Sequence, residues 1–118
     1  MSMLAQFAVV SVALLHLGFL VLEMFLWDKP LGMRVFRHKP AAATATKVLA
    51  ANQGLYNGFL AAGLLWGLVH ASAGRDIQVF FLVCVLIAGV YGAATASRVI
   101  LWVQALPAVI ALVLLALS

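Results

Sequence analysis

Long apolar runs, separated by short polar segments, repeat four times along the chain. They cover about residues 4–27, 45–69, 77–96 and 100–117. A helix needs roughly 20 apolar residues to cross the hydrocarbon core of a bilayer. The pattern therefore predicts four membrane-spanning helices. We also expect a kink at Pro107, which falls inside the last run, because a proline within a helix bends it.

The segment at residues 28–44 breaks the pattern between the first two runs. Asp28 suits a helix N-cap and Pro30 suits the first helical turn, and the bases that follow are Arg34, Arg37 and Lys39. A short helix lying on the membrane surface and a simple basic loop both fit this segment. The second span could also begin nearer residue 40.

Composition excludes an ordinary soluble domain. Of the 118 residues, 67% are hydrophobic and 8% are charged, whereas a soluble domain is about 45–50% apolar and about 25% charged. We therefore expect an all-α polytopic membrane protein, folded as one four-transmembrane-helix bundle over residues 1–118. The first run lacks a basic leader and a cleavage site, so we interpret it as a retained span rather than a signal peptide.

The bases orient this bundle. Six of the seven lie in or beside the first and third loops, and only Arg75 lies in the second. The positive-inside rule then places the basic loop 28–44 and the third loop in the cytoplasm, with both termini outside. We expect the bacterial cytoplasmic (inner) membrane, with the lipid bilayer as partner and no nucleic acid, because bases at membrane edges suit anionic headgroups.

Glu23 is the strongest candidate for function. A carboxylate inside a membrane is expensive and usually pairs or becomes protonated. It predicts a proton or cation site, a general acid or base, or a contact for a polar substrate. The alternative is structural, through an ion pair with Arg98 or a hydrogen bond to Asn52 that locks the bundle. His16 precedes Glu23 by two helical turns and shares its face, either as a proton relay or as a packing histidine.

The run NQGLYNG in the second span carries four polar side chains within six residues. Asn52 and Tyr56 are four residues apart, as are Gln53 and Asn57, so each pair shares a helix face. Packing between helices would explain amides and glycines at this spacing, but four polar groups favour a pocket. The candidate ligand-binding residues, which share a zone open to the cytoplasm, are Glu23, Asn52, Gln53, Tyr56, Asn57, Arg98 and His16. We expect no metal site, and the sequence assigns neither catalytic residues nor a cofactor.

Three stretches carry a family resemblance over nearly the whole chain. They are LEMFLW, the run ANQGLYNGFLAAGL, and Gln104 through Pro107 into an apolar tail. Together they resemble the domain of unknown function 1304 family of small four-span bacterial membrane proteins. The resemblance implies an integral membrane protein and brings no established activity.

A more distant similarity is to the membrane-associated glutathione and eicosanoid enzymes, which are trimers of four-span subunits. Lys47 and Asn52 match their second span loosely, and the runs FLAAGLL and SRVI are also weakly similar. Gly54 or Leu55 stands where those enzymes carry an acid, and this departure weakens the implied glutathione chemistry.

Three functions remain open. The leading hypothesis is a homo-oligomer that binds or transports a small lipophilic or weakly charged molecule. The second is a glutathione-dependent type of enzyme acting on lipophilic substrates. The third is a structural or accessory membrane subunit whose polar residues only pack helices.

Overall fold

The computed structural model describes residues 1–118 and consists of helices and turns. The predicted all-α class is confirmed. Its elements are α1 (Met3–Met24), α2 (Pro30–Phe36), α3 (Pro40–Val69), α4 (Gly74–Thr95), a π-helical turn (Leu101–Ala105) and α5 (Leu106–Ala116).

The segment between α1 and α3 resolves one alternative and corrects two details. It contains the short helix α2 and not a simple loop, and α3 begins at Pro40. The first helix ends at Met24, three residues before the predicted boundary at Trp27. Asp28 is not the N-cap of α2; Lys29 holds that position without a side-chain cap. The physical reason is that α2 begins at Pro30, which suits the first helical position and leaves Lys29 as the preceding residue. The Asp28 carboxylate instead pairs with the Lys47 ammonium, 3.0 Å away.

Two helices, α1 and α4, are long and apolar enough to cross a membrane. Within the fold, 28% of the apolar window of α1 and 22% of that of α4 are buried. The apolar helix Leu101–Ala116 is shorter. The 30-residue α3 is not among the candidate spans, since Lys47 and three amides, Asn52, Gln53 and Asn57, lower its hydropathy. The structure thus supports two spans of the four-span prediction.

The chain forms two compact units, residues 1–14 with 60–118, and residues 15–59. The helices α1 and α3 each contribute to both. In the first unit, small and aliphatic residues at helical spacing form a dry core, among them Val9, Leu64, Leu82 and Leu115. Gly63 lies directly beneath the ring of Phe81. The single domain inferred from the sequence stays a prediction.

A π-helical turn precedes Pro107, and the kink predicted at Pro107 itself stays a prediction. The backbone N–H of Leu106 donates to the carbonyl of Leu101, five residues earlier. Pro107, which has no backbone N–H to donate, follows this turn in the first turn of α5. The turn lies against α4, since a Cβ added to Gly89 would sit 2.7 Å from the backbone nitrogen of Ala105.

Candidate functional site

Glu23 and Asn57 form a buried polar pair in the second unit. Glu23 is 7% exposed and Asn57 is 8% exposed. The Asn57 side-chain amide donates a hydrogen bond to the Glu23 carboxylate, with 2.5 Å between Nδ2 and Oε1. The pair joins the end of α1 to the middle of α3, and the partner amide is neutral.

Glycines let the two helices approach closely enough for this contact. A Cβ added to Gly54 would lie 2.6 Å from Cγ of Met24 and 3.2 Å from the carbonyl oxygen of Leu20. One added to Gly58 would lie 2.7 Å from Cδ1 of Leu20. Small residues four apart permit such close helix packing. Asn57, three residues after Gly54, then shares the face that meets α1.

The position of Glu23 on its own helix is electrostatically unfavourable. It is the next-to-last residue of α1, and no basic residue lies in that last turn. The C-terminal end of a helix carries partial negative charge, which disfavours a carboxylate. Glu23 therefore does not serve to stabilise its helix end, and Asn57 offers it a dipole rather than a compensating charge.

The other predicted site residues lie in different surroundings. His16 is fully buried, and its ring meets that of Phe19 edge-on at 5.2 Å. Asn52 is exposed, and its amide donates to the carbonyl of Val48 in its own helix. The hydrogen-bond donor to Glu23 is thus Asn57 and not Asn52.

Gln53, Tyr56 and Arg98 are all exposed. The Tyr56 ring lies 6.2 Å from that of Phe59 on the same helix. Arg98 lies in the turn that follows α4. The structure therefore joins Glu23 and Asn57 from the predicted set, while a pocket that also includes these three residues stays a prediction.

An aromatic cluster, formed by Trp27, Phe36 and His38, ties α2 to the end of α1. The Trp27 ring centroid lies 4.7 Å from that of Phe36 and 4.4 Å from that of His38. Nε2 of His38 lies 3.0 Å from the carbonyl oxygen of Trp27, and the Trp27 indole donates to Thr46 at 3.0 Å. The sequence did not predict this cluster.

The ion pair beside the cluster joins α3 to the turn after α1. The hydrogen bond from Lys47 lowers the pKa of Asp28 below its usual range, and the positive charge of Lys47 adds to the effect. Asp28 is three-quarters covered and Lys47 is more than half exposed. The pair stabilises the segment without forming a buried charged site.

Gln78 is a buried polar residue that the sequence reading did not single out. It is fully buried, and its Nε2 donates at 3.0 Å to the carbonyl of Gly67. That carbonyl belongs to the last turn of α3, where intrahelical donors are missing. Its Oε1 is the one buried side-chain polar atom without a hydrogen-bond partner. Its position on the buried stripe of α4 between Gly74 and Leu82 was the available signal.

No group of three or more His, Cys, Asp and Glu side chains is arranged to hold a metal ion. The expectation that the protein needs no metal stays a prediction.

Comparison with known proteins identifies a family. The family model described as "Protein of unknown function (DUF1304)" matches residues 10–116. The uncharacterized protein YpaA of Lactococcus lactis subsp. lactis (strain IL1403) is 28% identical over 115 residues, covering 96% of this chain and 97% of that protein. No solved structure matches the chain. The family resemblance is confirmed, whereas the similarity to glutathione enzymes gains no support.

Proposed function

Because this chain belongs to the DUF1304 family of proteins of unknown function, we propose a function from its own buried carboxylate. The protein is an integral membrane protein that binds or moves a small, lipophilic, weakly charged molecule. Glu23 and Asn57 form the centre of the binding site, and the molecule carries a weakly basic or hydrogen-bond-donating group.

The proposal places four helices across the cytoplasmic membrane of a bacterium. Helices α1 and α4 meet the length and hydropathy requirements. Residues 99–116 are continuously helical and extend about 27 Å at 1.5 Å per residue, close to the hydrocarbon thickness of about 30 Å. The basic segment 28–44 supports a cytoplasmic first loop. A homo-oligomer is part of the proposal, because 118 residues enclose little space in one copy.

One observation carries the binding proposal: Glu23 is kept buried at the unfavourable end of α1 beside a neutral amide. A glutamine at this position would accept the same hydrogen bond without the electrostatic cost. The presence of an acid here therefore favours a role for its charge or its proton. A weak base, a proton or a small cation supplies the positive charge that Asn57 lacks.

A structural role is the second candidate, and it too has a specific observation behind it. Neither Glu23 nor Asn57 has a buried polar side-chain atom left without a partner, so the pair alone could lock α1 against α3. Under this alternative only the hydrogen bond matters, and Glu23→Gln preserves every property of the protein.

Labelling with a lipophilic carbodiimide distinguishes a Glu23 carboxyl that a lipophilic molecule can reach from one that only packs against Asn57. The reagent adds to carboxyl groups that it reaches from the lipid phase and leaves an acylurea that peptide mass spectrometry can locate. In membranes containing the protein, we expect modification of Glu23 and none of Asp28 or Asp76. A water-soluble carbodiimide should give the reverse preference.

The matched variants are Glu23→Gln and Asp76→Asn, each of which removes one acid. The first should abolish the lipophilic label and the second should leave it unchanged. An unlabelled Glu23 in folded wild-type protein would contradict an accessible site and favour the structural role.

A further inference from the structure

The entire net charge of the protein lies in one segment. Residues 28–47 hold five bases and one acid, whereas the rest of the chain holds two bases and two acids. The single acid, Asp28, is paired with Lys47. The four remaining bases are all exposed, and they are Lys29, Arg34, Arg37 and Lys39.

Contacts on both sides hold α2 in a fixed position; it carries Arg34, and the other three bases lie within three residues of its ends. A Cβ on the buried Gly32 would collide with the backbone carbonyl of Leu26, so α2 lies directly on the turn that follows α1. The aromatic cluster of Trp27, Phe36 and His38 fixes its other end. The bases are therefore presented from an ordered surface and not from a loose loop.

Apolar side chains accompany Arg34 on the same short helix. Leu31 is 46% exposed and Val35 is 50% exposed, on either side of Arg34 along the chain. A surface that offers both cationic and apolar groups suits the boundary between lipid headgroups and acyl chains. The helix follows within six residues of the end of α1, a candidate membrane span.

We infer that residues 28–39, which include the four exposed bases, bind anionic phospholipid headgroups of the leaflet in which α1 ends. The bases meet the lipid phosphates, while Leu31 and Val35 lie among the upper acyl chains. This inference rests on the membrane insertion proposed above, but not on ligand binding at Glu23.

Charge complementarity and location favour lipid over other anionic partners. A soluble nucleic acid or acidic protein would match the bases but not the exposed apolar residues between them. Each base near an anionic membrane surface strengthens attraction by roughly fivefold. Four unpaired bases therefore predict selective retention of anionic lipid. The rest of the chain has no net charge, because its two bases, Arg75 and Arg98, are matched by two acids.

Lipid retention by the full-length protein tests the inference. The protein is inserted into nanodiscs of equal parts phosphatidylcholine and phosphatidylglycerol, then released gently for native mass spectrometry. We expect phosphatidylglycerol to be enriched among the retained lipids. The variant Arg34→Gln/Lys39→Gln should lower that enrichment by tenfold or more, in line with roughly fivefold per base.

Two single-charge variants provide the matched control. Arg34→Gln should lower the enrichment and Arg75→Gln should not, although each removes one positive charge. Inorganic phosphate in solution should fail to displace the lipid, whereas displacement would identify a free-phosphate site instead. A short oligonucleotide that displaced the lipid would overturn the inference in favour of nucleic acid.

Four results would contradict the lipid site. They are an absence of enrichment in inserted wild-type protein, equal effects of Arg34→Gln and Arg75→Gln, displacement by phosphate, and displacement by an oligonucleotide. Failure of the wild-type protein to enter nanodiscs would instead contradict membrane insertion, so the two failures are distinguishable.

Discussion

Asn57 donates its side-chain amide to the Glu23 carboxylate one helical turn beyond Gly54, the residue whose missing side chain brings α3 against α1. Gly54 allows the two helices to approach closely, and this short separation lets the Asn57 amide reach the Glu23 carboxylate. Close packing and the polar contact are therefore coupled, so changes at either residue should be felt at the same carboxylate.

Replacing Asn57 with leucine should destabilise the protein more than the same change at Asn52. The Asn57 change leaves the buried carboxylate without its donor, which lowers the free energy of unfolding by about 1–3 kcal/mol. Asn52 is exposed and bonds only to its own helix backbone, so its replacement should change that energy by less than about 0.5 kcal/mol. Unfolding in detergent measures both.

The double variant Glu23→Leu/Asn57→Leu adds a check on this cause. It removes the stranded carboxylate together with its donor, so it should be more stable than Asn57→Leu alone. If the double variant is the less stable of the two, the loss does not arise from an unpaired carboxylate.

Alanine at Gly54 and alanine at Gly18 should shift stability in opposite directions. A Cβ at Gly54 meets Met24, Glu23 and the backbone of Leu20, whereas one at Gly18 meets nothing within 4 Å. Gly54→Ala should lower the free energy of unfolding by about 1–3 kcal/mol through overpacking. Gly18→Ala should raise it by about 0.5–1 kcal/mol through helix propensity. Equal shifts would show that the α1–α3 contact is not tight.

Glycine at Arg37 should stabilise α2, although glycine usually weakens helices. Arg37 ends α2 with φ of 55°, the only non-glycine residue with positive φ. A left-handed backbone costs a residue with a Cβ about 1–2 kcal/mol, which a glycine avoids. We expect Arg37→Gly to raise the unfolding free energy by about 0.5–1 kcal/mol. Arg34→Gly removes the same charge inside the helix and should lower it by about 1 kcal/mol.

The Asp28–Lys47 pair should stabilise the fold only above acid pH. The pKa of Asp28 is lowered in the folded protein, so the contribution is present above the unfolded value of about 3.9. It disappears as the pH falls through the lower folded value. Lys47→Gln should therefore reduce thermal stability at neutral pH, with the difference from wild type narrowing below about pH 4. A difference that is constant across this range would rule out the ion pair as its cause.

Some of the site follows from spacing along the sequence. His16 and Glu23 were assigned to one face of α1 because seven residues make two turns, and both are buried. The partner of Glu23 was harder to identify. Asn52 and Asn57 are five residues apart, which places them about 140° apart around a helix at 3.6 residues per turn. Only one could face α1, and hydropathy does not say which.

Other features depended on tertiary contacts. The π-helical turn Leu101–Ala105 lies against Gly89 through Ala105, and the sequence predicted a kink at Pro107 but not this turn. The aromatic cluster requires α2 to fold back onto Trp27. This is possible because Gly32 has no Cβ that would collide with the backbone of Leu26. For Gln78, the sequence offered only its four-residue spacing from Gly74 and Leu82 on the face of α4 that is buried.

The molecule retained by the purified protein tests the central claim most directly. Native mass spectrometry of protein released from mild detergent would compare wild type with Glu23→Gln, which keeps the hydrogen bond from Asn57, and with Asp76→Asn as the matched loss of an acid. The account predicts a discrete small-molecule mass on wild type and Asp76→Asn that is absent from Glu23→Gln, while all three proteins remain folded. An identical bound mass on Glu23→Gln, or an empty wild-type protein across extracts of the native membrane, would contradict it.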